Sequence, residues 1–224
     1  MAPPNLDTKT LAGGIVNLTV GASRTPFDTH IELLCDRSPY FNEILSDRYE
    51  NPRTMELVLE DVDPDIFAEL LRWMYCGQIS PVESTPRSSR ISHLYLIWIL
   101  AERFRVRELQ RLAMAQCKEF LQRNPDEVVT CGAVMVAYAY TGPGSPLRRH
   151  AVKVWVERAV ASHFEQAERS FLWPFLEDVD AALRKRGLTR TEKMSNGAHR
   201  GQNEEWSRFH ALSISDSRPP RDDK

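Results

Sequence analysis

The chain is poor in the features that announce chemistry. Its four cysteines, Cys35, Cys76, Cys117 and Cys131, are scattered and form no Cys-x-x-Cys pair. That excludes a disulfide framework and a zinc ribbon and leaves reduced packing residues of a reducing compartment. None of the six histidines, at 30, 93, 150, 163, 199 and 210, lies three or four residues from another histidine or a cysteine, so the local spacing of a zinc site is missing. No Gly-x-Ser-x-Gly nucleophile turn occurs, and Gly13-Gly14 is too short to cradle a phosphate. Charge of one sign is also missing: the formal net charge is -2, with no general drive toward nucleic acid. The most apolar run, Leu94 to Ala101, falls far short of the ~20 residues that a membrane span needs. Pro3, Pro4 and Asp7 interrupt the start, where a secretory signal would be apolar.

What is present is a core: hydrophobic residues make up 42% of the 224 positions, enough for one domain with an extension or two small ones. Residues 1–11 read as a flexible leader. Val16, Leu18 and Val20 alternate with Asn17 and Thr19, the period of a half-buried strand. Gly21 to Pro26 is turn chemistry, and a short strand around Phe27 pairs back. A helix follows from about His30, and Ser38-Pro39 restarts it with an N-cap and an N1 proline. Met55, Leu57 and Leu59 form a second alternating strand. Asp63-Pro64 opens a helix whose face is Ile66, Phe67, Leu70, Leu71 and Met74, and Gly77 stops it. Asp61, Asp63 and Asp65 imitate a calcium loop for three residues, but the required glycine and distal glutamate do not follow, and capping wins.

Beyond a loop at 80–92, helices are expected over 93–104 and 106–122. Asn124-Pro125-Asp126-Glu127 reads as another helix start, running to about Tyr140. Ser145-Pro146 opens one to about His163, and a last helix covers 174–186. Residues 187–224 turn polar and read as a disordered tail. Arg184-Lys185-Arg186, with Arg190 nearby, reads as a solvated helix end or as a nuclear-localisation patch. Trp206, Phe209 and Leu212 recur at three-residue spacing within the tail.

The order of these elements, with Val-Asn-Leu-Thr-Val-Gly at 16–21, Phe27-x-x-His30, Ser38-Pro39-Tyr40-Phe41 and Trp73-Met74-Tyr75-Cys76-Gly77, resembles a BTB/POZ domain over residues 12–122. The resemblance implies an α+β fold, a small sheet flanked by helical hairpins, followed by an all-α extension over 123–186 that is similar to that of stand-alone fungal BTB proteins. Its signature positions are Asn17, Gly21, Phe27, His30, Ser38, Tyr40, Phe41, Phe67, Tyr75 and Gly77. The resemblance implies an intracellular interaction module and not an enzyme, with protein partners and no cofactor, metal, nucleic acid or membrane. The resemblance implies self-association through the first helix and the neighbouring N-terminal surface, here Ile31, Leu34 and Cys35.

Two departures bear on partners. Family members that capture corepressors carry an acid on the first strand and a base directly after the histidine. Here those positions read as Asn17 and Ile31, which lack that charge pair. Cullin adaptors carry a hydrophobic-x-Glu motif, for which the nearest match is Tyr49-Glu50-Asn51. The alternative role is that of adaptor of a cullin-type ubiquitin ligase, with a cullin facing this loop or, where the motif fails, the helices around Tyr95 and the C-terminal extension.

Overall fold

Val16, Leu18 and Val20 are at most 1% exposed, the inward set of β1 (Ile15–Val20). In this computed structural model, which describes residues 6–46, 56–80, 86 and 89–198, β1 is the middle strand of a three-stranded sheet. It pairs antiparallel with β2 (Thr25–His30) and parallel with β3 (Glu56–Leu59). A parallel partner demands a crossover. It is made by α2 (Ile31–Arg37) and α3 (Pro39–Ser46). The β1–β2 turn passes so close to the start of α4 (Pro64–Cys76) that a Cβ on Gly21 would meet Pro64 at 2.9 Å, and the residue sits at φ +76°. Both facts demand glycine.

Helix α4 is built as its letters predict. Asp63 caps the N–H groups of Asp65 and Ile66, Pro64 takes the first turn, and Gly77 closes the end in the left-handed region at φ 70°. Then come α5 (Arg90–Arg103) and α6 (Arg107–Arg123), packed as a hairpin. Phe41, Phe67 and Phe104 are fully buried, and Phe104 stacks 4.8 Å from Phe41.

The chain divides into two compact units, the first ending at Arg149 and the second beginning at His150. The first unit runs past residue 122 because α7 (Cys131–Tyr140) packs against α5. Asn124-Pro125-Asp126-Glu127 does not start α7, as expected, but forms a turn. The Asn124 amide donates to the carbonyl of Phe120 at 2.7 Å, closing α6 instead. Thr130 does the capping, six residues later than the sequence suggests.

The boundary falls within α8 (Pro146–Arg158), and the second unit continues with α9 (Ala161–Arg169), α10 (Trp173–Arg184) and α11 (Arg190–Ala198). The single helix expected to about His163 is broken at Val160, which is extended at φ -116°, and His163 Nδ1 accepts its N–H. Trp155 is the hub, with ring centroids 5.5 Å from Phe164 and 4.9 Å from Phe175.

Two described stretches, 7–12 and 190–198, are more ordered than composition implies. Asp7 caps α1 (Thr8–Ala12), and Thr10 is buried within the stretch read as a flexible leader. α11 occupies the start of the stretch read as a disordered tail. Arg190 anchors it, pairing with Glu168 at 2.8 Å and with Asp180. Trp206, Phe209 and Leu212 lie outside the described residues. Among the described residues no helix is long and apolar enough to cross a membrane.

Candidate interaction surface

The geometry of α2 is set by two polar ties at its ends. His30 Nδ1 lies 2.8 Å from the Tyr75 hydroxyl, which also accepts the His30 N–H at 3.3 Å. At the other end, buried Ser38 donates to the carbonyl of Phe104 at 2.6 Å and accepts the N–H of Phe41 at 3.3 Å. These ties span 45 and 66 residues of sequence. With both ends held, α2 cannot rotate. Leu33 and Leu34 face the core at 2% and 0% exposure, while Ile31 and Cys35 are half-buried one turn apart.

The β1–β2 register pairs Ile15 with His30, so Ile15 stands beside the start of α2. It is 58% exposed, and Leu11 of α1 is 48% exposed. Ile31 donates its N–H to the Gly14 carbonyl at 3.1 Å, closing the corner between them. Lys9 and Glu32 pair across α1 and α2 at 3.3 Å. Exposed Leu11 and Ile15 and half-buried Ile31 and Cys35 thus belong to three elements, α1, β1 and α2, that are joined at this corner.

Leu34 is therefore corrected from a contact to a core residue, because its side chain is fully buried at the edge of the helix side that carries Ile31 and Cys35. Tyr95 is also buried, at 1% exposure, and burial pushes its hydroxyl well above its ordinary pKa. Neither side chain is presented to a partner. Tyr49, Glu50 and Asn51 lie outside the described residues. Asn17 is exposed and donates to Asp28 across the strand pair. The register puts Ile15, not Asn17, nearest the residue after His30, so the two positions read as a lost charge pair are not neighbours. Sequence reading missed Leu11 and Ile15. The alternation of β1 already placed Ile15 on the outer face, but nothing in the letters placed α1 against α2.

The remaining signature residues build the interior behind this face. Phe27 meets Phe67 edge-on at 5.2 Å, and Tyr40 meets Phe104 at 5.1 Å. Cys117 is buried, which pushes its thiol up to about 12. Two adjoining clefts open elsewhere on the first unit. One of about 720 Å³ is lined by Asp36, Arg37, Trp73, Glu102 and Glu108, where burial raises the pKa of Glu102. The other, of about 460 Å³, runs along α6 over Trp98 and Met114 between Arg107, Arg111 and Lys118. Among the described residues no three His, Cys, Asp or Glu side chains are grouped to hold a metal ion.

The BTB/POZ domain family model matches residues 10–124, just over half of the chain. Kelch-like protein 40 of Xenopus laevis and that of Xenopus tropicalis are each 28% identical over 98 residues, 44% of this chain. The match spans only 14% of each relative's length. Among solved structures, the BTB domain of human gigaxonin is 21% identical, with a TM-score of 0.35 over 45% of this chain and 74% of that one. The BTB domain of zebrafish PATZ1 is 21% identical, with a TM-score of 0.38 over 51% of this chain and 86% of that one. With a central parallel–antiparallel sheet, a helical hairpin crossover and the family match over 10–124, the chain belongs to the BTB/POZ domain family, a family of protein-interaction modules.

Proposed function

We propose that this chain acts inside the cell as a scaffold or regulator that pairs through the α1–β1–α2 face, with a second copy of itself or with a related BTB chain. The observation that carries the reading is the exposure of Leu11 and Ile15, at 48% and 58%, beside half-buried Ile31 and Cys35. Apolar side chains on three contiguous elements are what a self-complementary interface uses, and the same patch meets itself about a two-fold axis. Fully burying a leucine or isoleucine contributes ~1.5–3 kcal/mol, so a few such contacts distinguish a micromolar dimer from a monomer. The face also lacks a buried charge that would oppose closure, since Lys9 and Glu32 already pair with each other.

Light scattering over a micromolar concentration series tests this. The natural chain is expected to weigh as a dimer. Ile15→Glu is expected to weigh as a monomer that still melts cooperatively, because the side chain is exposed in the single chain, with only the stability due to association lost. A monomer at every concentration would leave only pairing with a different chain, and a dimer indifferent to Ile15→Glu would move the interface elsewhere.

A further inference from the structure

The basic run at the end of α10 has a neighbour that the interaction reading does not use. Of all the serines and threonines in the chain, Thr189 alone has an arginine three residues before it, Arg186, and Arg184 lies two residues further back. Arg184, Lys185, Arg186, Gly187 and Thr189 are all exposed. Arg186 pairs with Glu157 at 3.8 Å, between side chains 51% and 40% exposed, the kind that contributes little, and the backbone turn that a kinase would have to open is closed by Gly187 N–H on the Arg184 carbonyl at 3.0 Å and Leu188 N–H on the Leu183 carbonyl at 3.1 Å. Gly187 sits at φ +70°, so the helix has already ended before the threonine. Drawn out as an extended strand, the run places Arg184 and Arg186 on one side, two fixed cations for the carboxylates of an acidic substrate groove.

We propose that Thr189 is a phosphorylation site for an arginine-directed serine/threonine protein kinase, and that the phosphate replaces Glu192 as the cap of α11. In the transfer, Thr189 Oγ1 forms a bond to the γ-phosphorus of ATP as the bond to the β,γ-bridging oxygen breaks. ADP leaves and the hydroxyl proton passes through the kinase's base to solvent.

In the unmodified chain Thr189 and Glu192 cap each other. The Glu192 carboxylate accepts the Thr189 N–H at 2.7 Å and its hydroxyl at 2.9 Å, while Thr189 Oγ1 accepts the Glu192 N–H at 3.2 Å. These bonds hold the Glu192 carboxyl below its ordinary pKa. Esterifying Oγ1 removes the hydroxyl donor and sets up to two negative charges against that carboxylate. Glu192 is then expelled, and the phosphate oxygens take the free N–H groups at the positive end of the helix.

The test uses the full chain, an arginine-directed kinase and Mg-ATP, with the site read by tandem mass spectrometry. One phosphate is expected on Thr189, retained in Thr189→Ser and lost in Thr189→Val. Replacing Arg184 and Arg186 together by alanine is expected to slow it roughly tenfold or more, the loss of two charge-assisted contacts. Phosphate on another hydroxyl, or an unchanged rate without the arginines, overturns the site. Glu192→Gln separates the two halves of the proposal. It is expected to speed hydrogen exchange at the start of α11 in the unmodified chain and to change nothing once Thr189 is phosphorylated. Equal acceleration in both forms would overturn the exchange of caps.

Discussion

The two units of the chain are held by contacts of different range. In the first, the aromatic cluster brings together Phe27, Phe41, Phe67 and Phe104 from β2, α3, α4 and the end of α5. Its polar ties cross 45 and 66 residues. In the second, Trp155 meets rings on the next two helices, and Arg190 reaches back only 10 and 22 residues to Asp180 and Glu168. A unit closed by distant contacts forms as a whole or not at all, whereas neighbouring helices add stability piecewise. The proposed interaction face belongs to the first kind. Ile31 and Cys35 keep their half-buried positions because α2 is pinned from far along the chain.

The largest effect should come from the cores. Phe104→Ala removes the ring that Phe41, Tyr40 and Phe67 share, and should cost the first unit ~3–5 kcal/mol, read by urea denaturation. Trp155→Ala should cost as much in the second unit and leave the exchange rates of β1 and β3 unchanged. Loss of protection in that sheet would break the comparison, since the two units would then melt together.

The polar ties come next. Ser38→Ala strands the buried carbonyl of Phe104 and should cost ~1–3 kcal/mol. His30→Ala should fall in the same range through the lost hydrogen bonding to Tyr75. Tyr75→Phe removes only the hydroxyl and should cost about 1 kcal/mol. A His30 variant as stable as the parent but unable to bind partners would make the histidine a contact. The smallest effect concerns the alternative partner. If Tyr49-Glu50-Asn51 is a cullin motif short of its acid, Asn51→Glu should tighten cullin binding about five- to tenfold by calorimetry. Tight binding by the natural chain that survives Tyr49→Ala would remove the motif from the account.

What was legible in the sequence was local chemistry tied to a period. Asp63-Pro64 through Gly77 gives α4 to the residue because cap, proline, apolar stripe and terminal glycine agree. What was not legible depended on docking. A five-residue helix such as α1 is marginal alone and persists where it packs on α2. Asn124-Pro125 carries the letters of a helix start, yet the Asn124 side chain was already engaged by Phe120 of the preceding helix. Thr189 and Glu192 spell a capping box inside a polar stretch. What roots α11 is Arg190 meeting carboxylates on α9 and α10, which composition cannot report. Ile31 and Cys35 were expected, but the same reasoning offered Leu34, because periodicity marks which residues share a helix side and not which side the rest of the fold covers.

Hydrogen exchange of the natural chain at submicromolar and at high micromolar concentration tests the central claim most directly, because it maps an interface without disturbing it. Pairing through this face predicts concentration-dependent protection confined to α1, the start of β1 and α2. Protection that appears along the α6 clefts instead, or no dependence on concentration, would contradict it.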